Sequence, residues 1–129
     1  MELIENILFD ANKDITRLKA YVNNKAVRPV FEYGFDPAKK FILPEGVPPF
    51  KAQLGESIQL TGAFYMETRR FYVMCRADLK PIKREQMFIQ VLERVSKKEA
   101  EILLAIKDQT LGLMYPNITF DKLKEIGMV

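Results

Sequence analysis

Six cations crowd into sixteen positions of this chain. Arg69, Arg70, Arg76, Lys80, Lys83 and Arg84 stand against a single acid, Asp78. The window carries +5 of a net charge that is only +3 over 129 residues, so the rest of the chain is slightly acidic. Cations at this density can neutralise phosphates and release counterions. They can also steer an acidic protein onto the surface. A third reading is that they form the solvated faces of two amphipathic helices and pair with acids such as Glu67 and Glu85. The overall charge is too small to decide for nucleic acid.

Other chemistry has little to build on. The chain has no histidine, which removes the commonest general base and metal ligand and excludes a Ser–His–Asp or Cys–His arrangement. Its one cysteine, Cys75, excludes an intrachain disulfide. It sits on an apolar stripe and reads as inert core. The neighbouring Arg76 could lower its pKa, but no base accompanies it. Asp10 and Asp14, at i, i+4, read as solvated surface, and a metal site would need more oxygen ligands. The six glycines form no phosphate-binding loop. Asn117-Ile118-Thr119 matches a glycosylation sequon, and reads better as a turn followed by a helix cap. The expectation is a protein that is not an enzyme, with no catalytic residue, cofactor or metal.

The elements that carry these residues are helical. Leu3, Ile4, Ile7 and Leu8 predict a short helix over 2–9. Asp14 can cap a second one, with the stripe Ile15, Leu18, Tyr21 and Val22. A third covers Ala26–Tyr33, with Pro29 in its first turn and Gly34 as its left-handed terminal residue. A longer helix over 62–77 would set Phe64/Phe71 and Tyr65/Tyr72 on one broad face and place Arg69 and Arg76 together. Those aromatics sit at core spacing, not as base-stacking residues. Pro81 opens a helix over 81–95, in which Phe88, Val91, Leu92 and Val95 give the clearest amphipathic pattern. Ser96-Lys97-Lys98-Glu99 is a capping box for a helix over 97–108 that buries Ala100, Leu103, Leu104 and Ile106. Thr119 caps a last helix with Phe120, Leu123 and Ile126, and Gly127 ends it. The fold class is all-α: one domain over 1–129, a compact bundle of about six or seven short helices. N-terminal helices cover 2–34 and C-terminal helices 61–127.

Between them runs an ordered strap over about 35–60. Its core, Phe35–Lys51, holds four of the seven prolines. Gly46 and Pro48-Pro49 exclude a helix there. Phe41, Ile42, Leu43, Val47 and Phe50 are too much apolar area to leave in water. Phe41, Pro44, Val47, Pro49 and Phe50 could anchor a partner, because proline-flanked aromatics lose little entropy on binding. The competing reading makes them a lid on the protein's own core. Lys39 and Lys40 would keep one edge of the strap soluble. No apolar run approaches the 18–20 residues or so of a membrane span. The beginning, MELIENILFDANKD, has acids where a signal peptide needs a basic region. A cytoplasmic protein without membrane contact is expected.

Three stretches together carry a resemblance: FEYGFDPAKKFILPEGVPPFK, FYVMCRADLKPIKREQMFIQVLERVSKKEAEILLAIKDQTL and MYPNITFDKLKEIG. They resemble a family of short proteins from tailed bacteriophages of the T4-like group, many infecting marine bacteria. No activity is assigned to that family. The resemblance covers about two-thirds of the chain, and its strap motif is fairly specific. It transfers no catalytic or ligand residue. The ending ITFDKLKEIGMV departs from the aromatic-and-proline ending of relatives, so no role of that ending carries over. The resemblance implies a host-cytoplasmic protein that binds host or phage replication or transcription machinery. A nucleic-acid-binding accessory factor and a virion or assembly component are the alternatives.

Overall fold

The helix Lys97–Asp108 buries residues on every side: Glu99, Ala100, Ile102, Leu103, Ala105, Ile106 and Lys107. A helix buried all round belongs at the centre of its fold. A computed structural model of the chain describes residues 2–51 and 61–129. In chain order its α-helices are α1 (Ile4–Lys13), α2 (Arg28–Phe35), α3 (Thr61–Thr68), α4 (Pro81–Arg94), α5 (Lys97–Asp108), α6 (Leu111–Met114) and α7 (Phe120–Glu125). Three 3-10 segments, Ile15–Tyr21, Pro37–Lys39 and Phe71–Cys75, join them. No strand occurs among the described residues, so the fold is all-α. α5 packs against α1, α2, α4 and α6, which is why it buries Ile102 and Ala105 as well as the expected Ala100, Leu103 and Ile106. Leu104 is only half-buried.

Local signals set several boundaries where the sequence puts them. Pro81 occupies the first turn of α4. Ser96 and Glu99 close the capping box reciprocally, at 3.1 and 3.0 Å. The Thr119 hydroxyl accepts from Lys122 N, and Gly127 has a φ of 80°. Asp14 does cap the second element, through Thr16 N, but that element is a 3-10 helix. The three-residue spacing of Ile15, Leu18 and Tyr21 suits its three-residue turn.

Two expectations change. Gly34 is not a left-handed end: it lies inside α2, buried, where a β-carbon would stand 2.7 Å from Leu111 Cδ1. Its smallness lets α2 approach α6. The helix expected over 62–77 breaks after Thr68. The Thr68 hydroxyl lies 2.6 Å from Ala26 O and 3.0 Å from Tyr65 O. The hydroxyl's single proton goes to the shorter bond, which ties the end of α3 to the turn before α2 where the helix stops. The chain turns through Arg69 and Arg70 and resumes as the 3-10 segment. Phe71 is then buried while Tyr72 is 58% exposed, so the two aromatic rows do not share a face.

The ends of the described chain are tied down. Asn117 N donates to Asn12 Oδ1 at 2.9 Å, and Asn117 Nδ2 to Asn12 O at 3.0 Å. Arg28 Nη1 donates to Val22 O and to Gly127 O. Buried apolar residues from α1 to Met128 form one continuous core.

Candidate interaction site

The strap proper begins at Asp36, since Phe35 ends α2. The Asp36 carboxylate caps the turn Pro37–Lys39 by accepting from Ala38 N. Phe41 follows and is 3% exposed. Its ring lies 5.8 Å from Tyr33, 5.3 Å from Phe71 and 6.1 Å from Phe88, edge-on to the last two. Phe41 is therefore an internal anchor and cannot be a partner contact, which corrects one of the two readings of this residue.

Beyond Phe41 the strap is held at successive points. Ile42 N donates to Met74 O at 2.9 Å. Lys107, 2% exposed, donates to Pro44 O at 2.7 Å and pairs with Asp108. Gly46 N donates to Asp108 Oδ2, and Lys51 N to Glu93 Oε2 at 2.9 Å. Gly46 has a φ of 92°, a conformation glycine adopts without steric cost. Phe50 packs partly against the core. Pro44, Pro49 and Val47 face outward, Val47 at 71% exposure and Ile42 at 42%. Val47 and Pro49 stand at the rim of a cavity of about 220 Å³, with Leu43, Glu85, Phe88 and Lys107 in its walls. Residues 52–60 of the expected strap lie outside the described residues.

Lys107 was not singled out from the sequence. The available signal was its register: it continues the buried stripe of Ala100 and Leu103, where an ammonium needs partners.

The six cations of the basic window are divided among different tasks. Arg84 is 6% exposed. Its Nε donates to Ile42 O at 2.9 Å, and its Nη1 to Arg76 O at 3.1 Å and Leu79 O at 2.6 Å. It staples the strap to the turn before α4 and offers no surface charge, contrary to expectation. Arg76 forms a two-pronged pair with Asp78, through Nε at 3.0 Å and Nη2 at 2.6 Å. That pair holds the Asp78 carboxyl below the usual range. Arg69 and Arg76 do not share a helix face, because the helix breaks between them.

Arg69 and Arg70 line different cavities. Arg69 borders an open groove with Lys25 and Tyr72. Arg70 borders a smaller cleft of about 90 Å³, floored by Phe71, Met74 and Phe88. Glu67 is mostly buried in that cleft and pairs with Arg94 at 3.2 Å, not with the basic window. Lys80 and Lys83 are exposed at the start of α4. Arg69, Arg70, Lys80 and Lys83 make no ion pair among the described residues.

Burial pushes the Cys75 thiol up, opposed by the Lys39 ammonium and not by Arg76. Its Sγ lies 3.6 Å from the carbonyls of Lys39 and Lys40. No group of three or more acidic or cysteine side chains that could hold a metal occurs among the described residues. No helix among them is long and apolar enough to cross a membrane.

The strap and the basic segment thus meet at Ile42, through Arg84 and Met74, while Arg69 borders a separate groove. Comparison with curated proteins and with solved structures found no match. Residues 4–113 match the model of DUF6433, a family of unknown function, and the chain belongs to that family.

Proposed function

We propose that the protein works by binding: a small, non-enzymatic interaction protein that engages host or phage replication or transcription machinery in the cytoplasm of an infected cell. The observation that supports this most is the strap. Its backbone is bonded to α4, to α5 and to the segment before α4, yet it holds Val47 and Ile42 out in solvent. Exposed apolar side chains on a fixed backbone lose little freedom when a partner covers them. The cavity beside Val47 gives such a partner a pocket to fill. Pro44 and Pro49 stiffen the same ridge.

The test is affinity capture from infected cells with the wild-type chain and with Val47→Asp, read by mass spectrometry. Val47 is largely exposed, so the substitution leaves the melting temperature within about 2 °C. Proteins retained by the wild type and lost from the variant support strap binding. The same set captured by both removes the strap from the reading.

A further inference from the structure

We infer that the groove between the turn at Lys25 and the end of α3 binds single-stranded nucleic acid, the base stacking on Tyr72 and the phosphates meeting Arg69 and Lys25. The groove holds about 350 Å³ and is bordered by Lys25, Pro29, Glu32, Tyr33, Arg69 and Tyr72. It is separate from the strap cavity, and this inference does not depend on strap binding.

Local structure brings its cations together. The Asn24 side chain accepts from the backbone N–H of Ala26 and Val27 and fixes the turn that carries Lys25. The Thr68 hydroxyl donates to Ala26 O at 2.6 Å, deep in the core. That one bond joins the neighbours of Lys25 and Arg69, 44 positions apart in sequence. The cations are therefore carried on a buried, hydrogen-bonded frame and not on independent loops.

The charge balance suits an anion. Among the described residues Glu32 is the only acid bordering the groove, and it is already occupied by Lys39 at 2.8 Å and Arg28 at 3.7 Å. Lys25 and Arg69 have no counter-ion among the described residues. The break after Thr68 turns Tyr72 out of the core and leaves it 58% exposed beside them. A cationic groove lined with an exposed aromatic is the arrangement that holds single strands without reading sequence. An acidic peptide would use the two cations and leave Tyr72 without a role.

The experiment is fluorescence anisotropy of labelled single-stranded oligothymidine and oligoadenosine 20-mers at 20 and 200 mM salt. The wild type should bind at low salt. Two phosphate contacts give a log–log salt slope of about −1.4. Tyr72→Ala should weaken binding about tenfold, while Tyr72→Phe should not. Arg69→Glu should weaken it far more than Arg70→Glu, a change of equal charge in a different cleft. Circular dichroism melts check that each exposed-site variant is folded. The inference is overturned by no binding at 20 mM salt, by equal losses in Arg69→Glu and Arg70→Glu, or by indifference to Tyr72→Ala. A labelled poly-glutamate peptide that binds when the oligonucleotides do not would reassign the groove to an acidic protein and also overturn it.

Discussion

Glu99 shows how one side chain can serve a helix at a cost. Its carboxylate accepts from Ser96 N and completes the capping box that starts α5. It is also 4% exposed, and burial raises its pKa against the lowering effect of the Ser96 bonds. A carboxyl whose folded pKa lies above its unfolded one favours the fold most below the unfolded pKa. That contribution is lost as pH rises through the folded value. Glutamine keeps the oxygen that accepts from Ser96 and removes the charge. Glu99→Gln should therefore gain stability relative to the wild type between pH 4 and pH 7, while Glu99→Ala, which also removes the titrating group, should shift with pH in the same direction but lie about 1 kcal/mol below the Gln variant at both pH values for want of the cap. Urea unfolding at the two pH values checks this. A Gln variant whose deficit is the same at pH 4 and pH 7 would show that the buried charge has no effect.

At the scale of elements, the close approach of α2 and α6 rests on Gly34. Alanine there gains up to about 1 kcal/mol of helix propensity. It also drives a methyl group into Leu111, which is fully buried, at about 1–3 kcal/mol for overpacking. Gly34→Ala should cost about 1 kcal/mol net in the wild-type background. In a Leu111→Ala background it should become neutral or stabilising. The four proteins of this cycle, measured by urea unfolding, decide it: an equal cost in both backgrounds removes the contact as the cause.

The same scale shows what could be read in advance. α4, α5 and α7 were legible because Pro81, the Ser96–Glu99 box and Thr119 act within one helical turn. The break in 62–77 was not, because its cause is Thr68 reaching a carbonyl 42 residues away. Gly34 was misread for a similar reason. A glycine near the end of a helical pattern signals a left-handed residue, and only the position of Leu111 shows that space was the requirement. Tyr72 follows from the break, so the groove beside Arg69 had no visible signal. The basic window was visible as charge, but charge alone does not distinguish a free cation from Arg84, whose partners are three backbone carbonyls.

At the scale of the whole molecule, Arg84 joins the strap to the segment preceding α4. Arg84→Ala removes charge-assisted bonds to three carbonyls in a buried setting and should cost about 2–4 kcal/mol. Lysine lacks the planar fork and should not restore it. Chemical denaturation measures the loss, and limited proteolysis should show earlier cleavage within residues 42–50. Wild-type stability in Arg84→Ala would mean the staple is redundant with Lys107 and Glu93. Charge reversal at Arg84 is consequently a poor probe of surface binding, whereas Arg69 and Arg70 are suitable ones.

The clasp between Asn12 and Asn117, with Arg28 reaching Gly127, has a consequence for how the protein is made. α1 and α2 emerge from the ribosome well before their latches, which lie about a hundred residues downstream. Contacts of such long sequence separation close late. Until residues 117–127 leave the exit tunnel, the N-terminal helices have an incomplete core and exposed apolar faces. A chain stalled before Asn117 is therefore a substrate for chaperones and proteases.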